Sequence, residues 1–208
     1  MIKIDTLCNH PNLSNTYIVG SMNDCIVIDP SNDARDIIKL INGRKLLGIF
    51  LTHGHFDHFK TLEDLIKIMP TKIYLNKRTL KKLENKEASC AIYFGYNYQI
   101  DTKSLDTVIV NDGENIELGD LKIKIIYTPG HTDCGMCFLI DNNLFSGDTL
   151  FNGGFGRYDL PTASITELKN SLTKILKLNE DIIVYPGHGD ETSIINERRN
   201  DYIIRFIN

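Results

Sequence analysis

Thr52-His53-Gly54-His55-Phe56-Asp57-His58 is the stretch on which the reading of this chain turns. It places four metal-capable side chains, His53, His55, Asp57 and His58, within six positions. The apolar run Lys45–Leu51 before it reads as a short buried strand. The donors therefore fall in the loop at that strand's C-terminal end, where a rigid scaffold commonly carries its functional groups. Alternate side chains of an extended loop point the same way, so His53 and His55 can grip one ion together. Asp57 and His58 then turn into a helix and can face a second. Imidazole and carboxylate at this density suit zinc, with iron and manganese as neighbours in preference.

Three further strand ends supply matching groups. Thr128-Pro129-Gly130-His131 and Tyr185-Pro186-Gly187-His188 each close an apolar strand with Pro-Gly and present a histidine. Phe145-Ser146-Gly147-Asp148 presents a carboxylate in the same way. Each alone is weak evidence. As a set, His53, His55, Asp57, His58, His131, Asp148 and His188 make a seven-ligand cradle for two divalent metal ions. This takes five of the six histidines; His10, beside Pro11, reads as a loop residue outside the set.

The 208 residues carry 23 Lys+Arg against 27 Asp+Glu, a net charge of −4, so no broad basic field exists to bind nucleic acid. The 42% hydrophobic and 24% charged fractions are those of a globular chain. No apolar run approaches the roughly 20 residues of a membrane span, and the start lacks the layout of a signal peptide. Five cysteines, an odd number, read as reduced thiols rather than a disulfide framework. Cys134-Gly-Met-Cys137 has no second such pair to complete a zinc site and reads as core or pocket wall. The expectation is a single domain over 1–208, cytoplasmic, with neither a membrane nor a nucleic-acid partner, as a monomer or a homodimer.

Strands are predicted at Ile2–Leu7, Asn15–Gly20, Asp24–Asp29, Lys45–Leu51, Ile73–Leu75, Thr107–Val110, Asn115–Leu118, Leu121–Tyr127, Cys137–Ile140, Leu144–Ser146 and Asp181–Tyr185. Helical spacing marks Asp33–Ile41, Leu62–Met69, Lys77–Lys86, the segment from Ile165 to Leu176, and a terminal helix over Glu191–Ile207. Asp141-Asn142-Asn143 reads as a hairpin turn. The order β-rich, α, β-rich, α predicts an α/β (α+β) chain, two sheets face to face with helices outside both.

These motifs, with Gly153-Gly-Phe-Gly-Arg157-Tyr158-Asp159-Leu-Pro161 and the segment Gly187–Arg199, resemble the metallo-β-lactamase-fold hydrolases. Within them the chain is similar to glyoxalase II (hydroxyacylglutathione hydrolase), especially its short bacterial members. The resemblance implies a four-layer αββα sandwich of two mixed β-sheets with helices on both outer faces. It puts His53, His55 and His131 on one metal, Asp57, His58 and His188 on the other, and Asp148 as the bridge. It makes Asp29 a partner that orients ligands, where the residues alone read as a turn-capping Asp before Pro30.

The activity so implied is hydrolysis of a small-molecule thioester, S-lactoylglutathione or a related acyl-thiol, by a metal-bridging hydroxide. Asp148 and Asp57 are the catalytic carboxylates, Asp57 also managing a proton. A thiolate leaves without a strong general acid. No Gly-x-Ser-x-Gly elbow is present. Candidate substrate-pocket residues are Cys134, Arg157, Tyr158, Tyr93 and Tyr96, each with a plainer reading. Cys134 is a loop residue, Arg157 pairs with Asp159, and the aromatic run Tyr93–Tyr98 is packing rather than a lid. The alternatives are a persulfide dioxygenase with mononuclear Fe(II) on His53, His131 and Asp148, a lactone or phosphodiester hydrolase, and a non-catalytic metal-binding protein. Twenty residues follow His188, so no counterpart is expected of the helical domain with which long glyoxalase II enzymes hold the glutathione tail.

Overall fold

A computed structural model of the chain describes residues 2–8 and 13–208. His10, expected to be a loop residue, lies outside the described residues. Met1–Val110 with Glu117–Leu121 form one unit, and Asn111–Ile116 with Lys122–Asn208 a second.

The first unit is built on β1 (Lys3–Leu7), β2 (Thr16–Gly20), β3 (Asp24–Ile28), β4 (Lys45–Phe50), β5 (Ile73–Leu75) and β6 (Thr107–Ile109), in that spatial order. The first two pairings are antiparallel and the last three parallel, so the sheet is mixed. Thr16-Tyr-Ile-Val-Gly20 and Asp24-Cys-Ile-Val-Ile28 are apolar without alternation, and both strands are buried almost throughout. Such runs belong in a sheet covered on both faces. Crossover helix α1 (Ala34–Ile41) starts where the Asp33 carboxylate accepts from Arg35 N and stops at Asn42, which takes the left-handed conformation. Its Ile37 and Ile41 share a core with Ile18, Val27, Ile49, Leu62 and Leu65. The last two come from α3 (Leu62–Ile68), which follows the single turn α2 (Phe56–Phe59). The charged connector becomes α4 (Lys77–Leu83).

The second sheet contains β7 (Asn115–Leu118), β8 (Leu121–Tyr127), β9 (Met136–Ile140), β10 (Asn143–Gly147), β11 (Ile183–Pro186) and β12 (Thr192–Ser193), in the spatial order β12-β11-β10-β9-β8-β7. It too is mixed: β10 pairs with β11 in parallel and with β9 antiparallel. In β8 Leu121, Ile123 and Ile125 are buried while Lys122 and Lys124 face water, the period-two pattern of a half-covered sheet. Helix α5 (Ile165–Ile175) begins on a Ser164 hydroxyl that accepts from Glu167 N, and buries Leu168, Leu172 and Ile175.

The fold class expected from the sequence, two mixed β-sheets with helices, is the one observed. The terminal helix is corrected. Thr192 and Ser193 pair with β11, and the rest divides into α6 (Ile194–Arg198) and α7 (Asp201–Ile207). The cause is local chemistry: Ser193 accepts from Asn196 N, and Asn200 accepts from Tyr202 N and Ile203 N, so each starts its own helix. The strand expected to run through Asp29 ends at Ile28 because Asp29 has φ 51°.

Candidate metal centre

Parallel pairing sets the first group of donors. Ile28 and Phe50 are register partners, so β3 and β4 release Asp29 and Thr52 side by side. Asp29 is buried, and its left-handed backbone aims the carboxylate back at the motif. Oδ1 accepts from Thr52 N at 2.8 Å, and Oδ2 accepts from Thr52 Oγ1 at 2.6 Å. His58 Nδ1 also lies 2.8 Å from Oδ2. A carboxylate oxygen only accepts, so His58 carries its proton on Nδ1. Thr52 has spent its proton on Asp29 and therefore accepts from His53 Nδ1 at 3.1 Å. In its neutral form each ring then presents the Nε2 lone pair, the form in which imidazole binds a metal.

These rings are packed together. The centroids of His53 and His58 are 4.1 Å apart and those of His53 and His55 4.8 Å. All three are buried, as is Asp57, whose Oδ2 lies 3.8 Å from His58 Nε2.

The second unit repeats the device. Gly147 and Pro186 are register partners in the parallel pair β10–β11, and Gly187 N donates to Gly147 O at 2.8 Å. Asp148 and His188 therefore leave the sheet together, with His188 Nε2 3.7 Å from Asp148 Oδ2. His131 follows β8 after Gly130, where φ is 141° and a Cβ would lie 2.3 Å from the backbone of Leu168. No side chain fits there, which accounts for the Pro-Gly before the histidine. His131 Nε2 is 3.4 Å from Asp148 Oδ2, while its Nδ1 donates to the Arg157 carbonyl at 2.7 Å.

Imidazoles held by Nδ1 hydrogen bonds, alongside carboxylates, form a donor set that fits divalent zinc, iron or manganese. The first unit offers His53, His55, His58 and Asp57, the second His131, His188 and Asp148.

Other expected site residues fall differently. Cys134 is fully buried, with Thr132 Oγ1 3.4 Å from its sulfur. Arg157 forms a two-pronged pair with Asp159 at 2.7 and 2.8 Å, which holds the Asp159 carboxyl below its usual range. Tyr158 and Tyr93 are exposed. Tyr96 is also exposed and packs on Phe56 with centroids 4.7 Å apart. Two contributors escaped sequence reading. Thr52 had a visible signal, its place directly between strand and motif. The Arg157 carbonyl had none.

Burial pushes the Cys25 and Cys137 thiols up to about 11, and Cys90 and Cys134 are buried too. Only Cys8 is exposed. Titration of the native chain with a thiol reagent at pH 8 is expected to label one cysteine rapidly, and all five after unfolding.

Residues 11–188 match the metallo-beta-lactamase superfamily, and the chain belongs to it. It is accordingly a member of a superfamily of metallo-hydrolases. It is 37% identical over 181 residues to an uncharacterized protein of Aquifex aeolicus, covering 84% of this chain and 83% of that one. It is 30% identical to the probable metallo-hydrolase YqgX of Bacillus subtilis, covering 94% and 95%. It is 34% identical to the hydroxyacylglutathione hydrolase GloC of Haemophilus influenzae, covering 84% of each. Among solved structures it superposes on the BLEG-1 B3 metallo-beta-lactamase with TM-score 0.88 and 29% identity, covering 98% of this chain and 99% of that one. The di-iron-bound form of TTHA1623 follows at 0.83 and 30%, covering 94% and 98%. No helix among the described residues is long and apolar enough to cross a membrane.

Proposed function

We propose that the chain hydrolyses small-molecule thioesters of the hydroxyacylglutathione type, with two divalent metal ions, zinc in the first place. His53, His55 and His131 would hold one ion, Asp57, His58 and His188 the other, and Asp148 would bridge. The observation that carries this reading is the set of built-in acceptors on ring nitrogens: Thr52 for His53, Asp29 for His58 and the Arg157 carbonyl for His131. Surface histidines that merely cluster have no use for such partners. Likeness to the Haemophilus hydroxyacylglutathione hydrolase supports the thioester class.

Bound ions of this kind supply Lewis acidity and a water acidic enough to attack at neutral pH. The protein's own groups supply order. Asp29 and Thr52 would keep His58 and His53 in the Nδ1–H tautomer, whose Nε2 lone pair is the one an ion takes. Asp57 would accept the proton released as the attacking oxygen bonds to the acyl carbon, and would return it to the sulfur as the carbon–sulfur bond breaks, giving acid and thiol. His188, with a side chain about a third exposed, leaves its side of the donor set open to solvent, as a catalytic rather than a structural site requires.

A panel of S-lactoylglutathione, a simple acyl thioester, a lactone, a β-lactam and a glutathione persulfide, run on metal-quantified protein, tests the proposal. Thiol release from the thioesters is the expected result. Turnover confined to the lactone or β-lactam would overturn it, as would oxygen uptake with the persulfide.

A further inference from the structure

We infer that the C-terminal helix α7 positions His131, acting through the segment Phe151–Asp159, with Phe206 as the principal positioning residue. The inference rests on His131 being a metal ligand, as proposed above.

The segment lies against His131 at its inner edge. At Gly156 a Cβ would sit 2.0 Å from the Asp148 carbonyl oxygen and 2.9 Å from His131 Nδ1, so only glycine allows the chain to pass. The next residue supplies the carbonyl that accepts from His131 Nδ1 at 2.7 Å. Phe151 meets His188 edge-on, centroids 6.2 Å apart, so the same short stretch touches both histidines of this unit.

At its outer edge the segment is clamped by the C-terminal helices. Phe155 stacks on Phe206 with centroids 4.0 Å apart, and on Tyr202 at 5.2 Å with planes 2° from parallel. Tyr158 reaches Phe206 at 5.4 Å. Gly153 N donates to Glu197 Oε2 at 3.2 Å. Glu197 is itself buried, and accepts from Thr192 Oγ1 at 2.7 Å and from Asn200 Nδ2 at 3.1 Å. Anchors at 153, 155 and 158 thus bracket the carbonyl at 157. A shift of that oxygen is therefore opposed by the contacts on either side of it. A backbone carbonyl on Nδ1 fixes both the tautomer and the ring plane of a ligand histidine, and losing such a partner typically costs 10–100-fold in metal affinity.

The test is a double-substitution cycle on the full chain, read as zinc affinity by competition with a chromophoric chelator, with folding checked by circular dichroism. The variants are His131→Ala, Phe206→Ala, the two combined, and Ile207→Ala, which trims α7 where it packs on the core. Phe206→Leu keeps the apolar bulk and runs through the same cycle should the alanine variant fail to fold. Phe206→Ala is expected to weaken zinc binding about tenfold, to add nothing once His131 is alanine, and Ile207→Ala to change affinity less than twofold. An undiminished Phe206 effect in the His131→Ala background, or an equal loss from Ile207→Ala, would overturn the inference by making the effect general to the helix. Unchanged zinc affinity in His131→Ala alone would overturn the ligand assignment itself, a separate failure.

Discussion

Replacing Asp148 with alanine is expected to lower kcat/KM for a thioester by about 10³-fold or more, with the chain still folded. Asp148 Oδ2 lies 3.4 Å from His131 Nε2 and 3.7 Å from His188 Nε2. In the proposed centre it is the one group shared by the two ions, so its loss removes a negative charge from each. A preorganised electrostatic contribution of that kind is worth about 10²–10³-fold on its own, and the loss of one ion adds to it. The fold should survive because alanine removes a buried charge that faces the histidines of the site and leaves no large cavity. Steady-state kinetics with zinc quantification checks this, with zinc expected to fall from two per chain toward one. Undiminished turnover would remove Asp148 from the bridging role.

Asp29→Asn is the second large effect, and it isolates chemistry from shape. Asparagine is nearly isosteric and tolerates the left-handed backbone at this position. It has one acceptor oxygen where aspartate has two, yet three groups depend on them: Thr52 N, Thr52 Oγ1 and His58 Nδ1. Its amide must face at least one of them. Turned toward His58, it drives the ring proton from Nδ1 to Nε2 and takes away the lone pair meant for the metal. Zinc affinity is expected to drop 10–100-fold, with a loss of about 1–3 kcal/mol in folding stability from the buried donor left over. Chelator competition and denaturant titration measure the two effects separately. Wild-type affinity in this variant would show that Asp29 does not set the His58 tautomer.

The parts of the site legible in the sequence are those carried by residue type at a strand end. His53, His55, Asp57, His58, His131, Asp148 and His188 each follow an apolar run that can be read without knowing its partners. Which strands lie in parallel register could not be read, and that register is what places Asp29 beside Thr52 and Asp148 beside His188. The acceptor for His131 is a main-chain carbonyl, which any residue at 157 would offer, so composition holds no trace of it. Glu197 stands in a Glu-Arg-Arg run that looks like a solvated face. Its burial depends on Thr192, Gly153 and Asn200 converging from three different segments. The break between α6 and α7 did have a local signal, since Ser193 and Asn200 are both helix-starting residues, and helical spacing across 191–207 masked it.

Elemental analysis of the chain purified without added metal, on the same sample assayed for thioester hydrolysis, bears most directly on the proposal of a two-metal hydrolase. Two divalent ions per chain, chiefly zinc, with turnover lost on chelation and restored by adding zinc back, is the predicted result. A single iron per chain with oxygen consumption, or full thioester turnover in metal-free protein, would contradict it.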